Sequence, residues 1–296
     1  MEILKQLVID SDAFNEIDDQ FAIAYALNSP QFFEVKALLA APFFNEKSAS
    51  PGDGMEKSLC EIKRVTALCE SGAPAFAGAR DYLPANGQAV ESPACDELIR
   101  LVKATPPGRR LYVAAIGALT NIASALIKAP EIRDRMTVYW LGANAVQFQD
   151  QNEFNLRQDR RAAQTLFDSG TPVVWFPCRG VCSHLSLSLW EAEHWLAGRG
   201  KLAGALCGLL RQSGAVGMGQ SRILWDIAPI AALCNPACVQ TVELPSPIVA
   251  EGPLRLLPTR PAVQYVQAIA RDLVFKDFFA AIGGLARERY IYFIVY

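Results

Sequence analysis

Four aspartates fall within one stretch of ten residues near the start of the chain: Asp10, Asp12, Asp18 and Asp19. An apolar run from Leu4 to Ile9 leads straight into the first of them. Such a run reads as a buried strand, and Phe21, Ile23, Ala24, Ala26 and Leu27 have the spacing of a helix that follows it. In an open α/β sheet, ligands bind outside the carboxyl ends of the strands. The four acids are therefore expected at the functional edge. Carboxylates held together repel one another, and burial raises that cost. A hard divalent cation relieves the conflict, and several carboxylates with a backbone carbonyl form the ligand set that calcium prefers. A plainer role competes with this one. Asp18 and Asp19 would complement a helix dipole, and Asp12 would serve as a helix cap.

Asp-x-Asp after an apolar strand is also the arrangement of haloacid dehalogenase-type phosphatases, with the first Asp as nucleophile. That chemistry needs a later basic residue and an acidic pair on a distant strand. Here the acidic pair follows at once.

The rest of the chain supplies elements to position these groups. Strand-like runs at 33–40, 75–76, 111–116, 137–141 and 173–176 alternate with helical periodicity at 57–70, 97–103, 121–128 and 160–167. The strand segments are unbroken apolar runs, as expected where both faces are covered. The alternation predicts an α/β fold: an open, mainly parallel sheet with helices on both faces. The second half is less regular. Residues 190–210 read as a helix interrupted at Gly198 and Gly200, 239–251 and 290–296 as strands, and 213–221 as a mobile loop. Without repeat, low-complexity tract or linker, residues 1–296 are expected to form a single domain.

Composition excludes several classes. The chain is 51% hydrophobic and 20% charged with a formal net charge of −2. No basic field is present to recruit nucleic acid or an anionic membrane, and no apolar run is long enough to span a bilayer. The first residues show no signal-peptide pattern, so a cytoplasmic location is expected. The eight cysteines then read as reduced thiols. Cys178 and Cys182, and Cys234 and Cys238, are spaced to share a helix face, with His184 close by, but these spacings match no common zinc pattern.

Three further segments carry a resemblance. Ile116-Gly117-Ala118-Leu119-Thr120-Asn121-Ile122-Ala123 follows a strand, Asn152-Glu153-Phe154-Asn155 precedes Asp159 and a helix, and Leu224-Trp225-Asp226-Ile227 opens a late helical stretch. With the acidic cluster, in this order, they resemble the nucleoside hydrolase family from about residue 5 to residue 282. The resemblance implies the family's α/β fold, a calcium cofactor and hydrolysis of the N-glycosidic bond of nucleosides. It implies roles by position as well. Asp12 matches the aspartate that binds calcium and takes the proton from the attacking water, Asp19 and Asp226 match the other calcium carboxylates, and Ile116 offers its carbonyl oxygen to the ion. Asp18, Glu153, Asn155 and Asp226 match residues that hold the ribose hydroxyls. Asn45 stands where the family often has a ribose-contacting asparagine, and Asp10 braces the site from behind. Homodimers or homotetramers are common among such proteins.

The chain departs from the family pattern in two places. The usual Asp-x-Asp-Pro-Gly-x-Asp-Asp is here two residues longer and without its glycine, with Ala13-Phe14-Asn15-Glu16-Ile17 between Asp12 and Asp18. This resembles a branch with Asn-Glu-Ile-Asp-Asp and leaves Asn15 and Glu16 as further entrants to the site. Where many members carry a histidine before the last aspartate, this chain has Trp225. Trp225 cannot protonate a departing base but could stack on it, which points towards purine nucleosides; packing in the core is its plainer role. A protein that binds a riboside around a structural calcium without turning it over is the alternative of a different class. The sequence leaves the base and the exact riboside open.

Overall fold

The computed structural model describes residues 4–249 and 252–285. In chain order the elements are β1 (Lys5–Ser11), α1 (Asp18–Leu27), β2 (Phe33–Ala40), α2 (Pro51–Leu68), β3 (Ala75–Phe76), α3 (Pro93–Ala104), β4 (Leu111–Ala115), α4 (Thr120–Lys128), β5 (Met136–Leu141), α5 (Phe154–Gln158), α6 (Arg160–Ser169) and β6 (Val173–Phe176). Then come β7 (Ser186–Leu187), α7 (Leu189–Leu196), α8 (Lys201–Gln212), β8 (Arg222–Ile223), α9 (Ile227–Cys234), β9 (Val239–Pro245), β10 (Pro247–Ile248), β11 (Arg255–Leu256), β12 (Ala262–Ile269) and α10 (Arg271–Gly283).

Eight strands form one sheet in the order β3-β2-β1-β4-β5-β6-β12-β9, and β7-β8 and β10-β11 make two small ribbons. Every neighbouring pair in the large sheet is parallel except β12 with β9. The chain runs outward from β1 through β2 to β3, then returns to β4 and builds the other way. The strand order thus reverses between β1 and β4, which is where an α/β sheet opens a crevice for ligands. Asp10 and Ile116 meet at that reversal, the Ile116 N–H donating to the Asp10 carbonyl at 2.8 Å.

Alternate strand residues feed two cores. Leu7, Ile9, Leu38 and Ala114 pack with α1, α2, α8, α9 and α10, whereas Val8, Leu39, Val113 and Trp140 pack with α3, α4 and α6. Both faces of the sheet are covered, which accounts for the unbroken apolar runs. Among the described residues no helix is long and apolar enough to cross a membrane.

Several boundaries depart from the sequence reading. The helix expected from 57 begins at Pro51, because Ser50 Oγ accepts from the Asp53 N–H at 3.1 Å and proline suits the first helical position. The interruption expected at Gly198 and Gly200 is present and separates α7 from α8, the two glycines having φ values of +75° and +96° that leave the helical region. The strand expected at 239–251 closes at Pro245, with Pro247–Ile248 a separate strand. Positions 250 and 251 and the strand expected at 290–296 lie outside the described residues. Loop 213–221 is a run of turns and bends linking α8 to β8.

Candidate active site

The C-terminal end of β1 delivers the first two acids in opposite senses. Asp10 turns into the protein, where its Oδ1 accepts from Asn121 Nδ2 at 2.7 Å. Asn121 also donates to the Ala40 carbonyl at 3.1 Å and accepts the Ala79 N–H at 2.8 Å, so one buried amide ties β1, β2 and the segment after β3 together. Gly78 makes that approach possible: a Cβ there would sit 1.8 Å from the Ala40 carbonyl oxygen. Asp12 turns the other way and lines a pocket at the edge of the sheet.

The inserted loop then folds back. The Asn15 N–H donates to the Asp12 carbonyl at 2.7 Å, closing a turn, and α1 opens on Asp18 and Asp19. Both acids complement the helix N-terminus, and Ser11 Oγ donates to Asp19 Oδ1 at 2.6 Å. Glu16 on this loop pairs with Arg222 of β8 at 2.5 Å. Beyond β8 the chain brings Trp225 and Asp226 to the same pocket, and the Asp226 N–H reaches Asp18 Oδ2 at 3.4 Å.

Glu153 and Asn155 form the opposite wall. Glu153 caps the short helix α5: its Oε1 accepts the Asn155 N–H at 2.9 Å and its Oε2 the Leu156 N–H at 2.9 Å, with the Ala143 N–H arriving at 2.8 Å. Burial still pushes this carboxyl above the usual range despite those donors. Asn155 Nδ2 bridges the Leu141 and Ile116 carbonyls at 3.1 and 3.3 Å, and both carbonyl-bearing residues line the pocket.

The electrostatics are one-sided. Asp12, Asp18, Asp19 and Asp226 are all nearly inaccessible, at 1%, 2%, 1% and 4% exposure. Burial, followed by mutual repulsion, holds Asp12, Asp19 and Asp226 well above the ordinary carboxylate range. Asp18 is pushed up to about 6, chiefly by burial and then by Glu16, with Arg222 acting in the other direction. Asp10 is raised to about 7 by burial, against the pull of Asn121. Arg222 is already matched by Glu16, and no lysine, arginine or histidine lines the pocket. Asp18, Asp19 and Asp226 can place carboxylate oxygens all within 4.8 Å of one another. Asp12 Oδ2 is buried without any hydrogen-bond partner. Crowded oxygens lacking a counter-charge, one of them orphaned, are a donor set that fits a hard divalent cation.

The structure brings Asp12, Asp18, Asp19, Ile116, Glu153, Asn155, Trp225 and Asp226 to one pocket. The tightest carboxylate group holds Asp18 rather than Asp12, which stands beside it. Asn45 does not line the pocket; its Nδ2 donates to Asn15 Oδ1 at 2.6 Å, and Asn15 does. Trp225 is half-buried, packing on the core with one side while lining the pocket with another. Asp10, the residue a phosphatase of the Asp-x-Asp kind would use as nucleophile, faces Asn121 in the interior and does not line the pocket. Phe154 and Cys178 line the pocket without having been singled out. Phe154 lay inside the Asn-Glu-Phe-Asn segment, while the spacing of Cys178 to Cys182 raised only a zinc pattern and not this pocket; its thiol neighbours Glu153 and is held well above its ordinary range by burial. All eight cysteines are free. Among the described residues the group able to hold a metal is carboxylate, with no cysteine or histidine in it.

The fold is thus an open α/β sheet with a carboxylate-lined, cation-fitting pocket at its strand reversal. Residues 7–272 match the family described as inosine-uridine preferring nucleoside hydrolase. The chain belongs to that family. Its fold is shared with a purine-preferring ribonucleoside hydrolase from Gardnerella vaginalis, at 23% identity and a TM-score of 0.73 over 96% of this chain and 99% of that one. An inosine-guanosine nucleoside hydrolase is similar at 14% identity and a TM-score of 0.74, over 95% of this chain and 99% of the other. An uncharacterised protein of Schizosaccharomyces pombe is 37% identical over 117 residues, a stretch that spans 38% of this chain and only 37% of that protein.

Proposed function

We propose that the protein hydrolyses the N-glycosidic bond of ribonucleosides, releasing base and ribose, with calcium as cofactor and a leaning towards purines. Hydrolysis of such bonds is the general activity of the family. The observation that carries the finer reading is the convergence of Asp12, Asp18, Asp19 and Asp226 on one buried pocket whose opposing wall holds Asn155 and Trp225. Asp19 and Asp226, with Asp12 or Asp18 and the Ile116 carbonyl, would hold the ion. When bound, calcium polarises the water that attacks the sugar.

The remaining chemistry belongs to the side chains. Breaking the bond builds positive charge on the ribose, and a pocket lined by buried acids stabilises that charge as it develops. Asp12 Oδ2, free of protein partners, accepts the proton of the attacking water as general base. Asp18, Asn155 and Asp226 hold the ribose hydroxyls. Glu153 fixes that wall through its three backbone N–H partners and has less remaining capacity for a hydroxyl. Trp225 flanks the base, and stacking spreads the charge of a base that picks up a proton as it leaves. The larger π surface of a purine underlies the proposed leaning. Nucleic acid and membranes are not proposed as partners, and a homodimer or homotetramer is.

Product analysis tests this directly. Incubation with inosine and calcium is expected to yield free base and ribose in equal amounts. If no purine or pyrimidine nucleoside is cleaved while a riboside still binds, the non-catalytic alternative takes its place.

A further inference from the structure

The loop 13–17 gives the pocket two polar side chains: Glu16 is paired with Arg222, and the chemistry above leaves Asn15 unused. Asn15 lines the pocket at 7% exposure. It is fixed at three points: its N–H donates to the Asp12 carbonyl at 2.7 Å, its own carbonyl accepts from Lys47 Nζ at 2.5 Å, and its Oδ1 accepts from Asn45 Nδ2 at 2.6 Å.

These contacts decide which way both amides face. The Lys47 N–H donates to Asn45 Oδ1 at 2.9 Å, so Asn45 must turn its NH2 towards Asn15. Asn15 must answer with its oxygen. Its own Nδ2 then has no protein acceptor among the described residues. That leaves the Nδ2 edge of a pocket-lining residue open to donate to a ligand or water. The pocket around it is lined by carboxylates, which only accept. A sugar hydroxyl is the group that suits both: it gives its proton to a carboxylate and offers a lone pair to an amide N–H.

We propose that Asn15 is a substrate-contacting residue, donating through Nδ2 to a ribose hydroxyl whose proton goes to Asp18, and that Asn45 is the positioning residue that sets the orientation of the Asn15 amide. This rests on the nucleoside reading and moves the hydroxyl contact expected of Asn45 onto the inserted loop.

The test compares the parent with Asn15→Leu, similar in size but without a donor, and Asn15→Asp, of the same shape but with the donor replaced by an acceptor. Substrates are inosine, 2′-deoxyinosine and 3′-deoxyinosine, with calcium affinity measured by calorimetry and folding by melting temperature. Both substitutions are expected to lower kcat/KM for inosine by about 3- to 10-fold or more. One deoxy analogue, the one lacking the contacted hydroxyl, is expected to be insensitive to Asn15→Leu, and calcium affinity is expected to hold in that variant. An Asn45→Ala change, which frees the Asn15 amide to flip, is expected to give a smaller loss with the same substrate pattern. Equal losses on all three substrates, or activity falling in step with calcium affinity, would make Asn15 a structural residue and overturn the proposal. So would parental rates in Asn15→Leu. A parent inert on all three substrates is a different result, which removes the nucleoside reading and this inference with it.

Discussion

Stripping the protein of divalent cations and following its melting temperature from pH 5 to pH 8 probes the acidic cluster without any assumption about substrate. Asp18 and Asp10 are raised from 3.8 to about 6 and about 7 by burial. In the unfolded chain both are ionised throughout this range, whereas in the folded protein they still hold protons at pH 5. The folded state therefore binds more protons, and stability falls as pH rises through the folded values. At 1.36 kcal/mol per unit, these two groups together remove about 4 kcal/mol between pH 5 and pH 8. For a chain of 296 residues that is a melting-temperature drop of roughly 7 °C. Asp12, Asp19 and Asp226, also raised, steepen the fall. Saturating calcium is expected to stabilise the protein more at pH 8 than at pH 5, removing the share that belongs to its ligands, and Asp10→Asn removes the share of Asp10. Scanning calorimetry on chelator-treated protein reads all of this. A metal-free melting temperature that is flat or rises across this range would refute the reasoning.

Three further outcomes are expected. Asp12→Asn should lower turnover by at least about 100-fold, the low end for loss of a general base, while the metal-free melting temperature holds or rises because one repelling buried charge is gone; kinetics beside calorimetry checks both. Trp225→Ala should lower kcat/KM for inosine by roughly 5- to 150-fold, equivalent to about 1–3 kcal/mol of base stacking, with a smaller loss on uridine and partial retention in Trp225→Phe; an unchanged inosine-to-uridine ratio with a large stability loss would place its role in the core. Gly78→Ala forces a Cβ to within 1.8 Å of the Ala40 carbonyl oxygen and 2.6 Å of Asn121 Nδ2. It should destabilise the fold by at least about 1–3 kcal/mol, and denaturant titration would show whether it does.

The parallel half of the fold was legible because each strand is a short, doubly covered apolar run with an amphipathic helix behind it. The later elements were not. In β12 the buried Val263 and Tyr265 alternate with glutamines, and Ala270 puts no capping side chain before α10. The phenylalanines of α10 pack on several neighbours at once, so no single apolar stripe announces a helix. In the pocket, Asp12, Asp18 and Asp19 were legible from spacing alone, since a strand and the helix after it must return them to one edge. Asp226 was legible only through the family resemblance, because it meets Asp18 across 208 positions. The opposite orientations of Asp10 and Asp12 follow from Asn121 and Gly78, which belong to segments far away in the chain. The longer loop marked Asn15 and Glu16 as further entrants, and both border the pocket, but that Asn45 stands behind Asn15 depends on how two amides pair, which no pattern of residue types reveals.

The central claim is that the carboxylates of this pocket hold a calcium ion needed for N-glycosidic hydrolysis. Titrating calcium into metal-free protein, with binding followed by calorimetry and ribose release from inosine followed in the same samples, tests it most directly. One ion per chain is expected to bind, with ribose release rising in proportion to its occupancy and both lost in Asp19→Asn. Ribose release that is undiminished in chelator-treated protein, or calcium that binds fully without any nucleoside being cleaved, would contradict the claim.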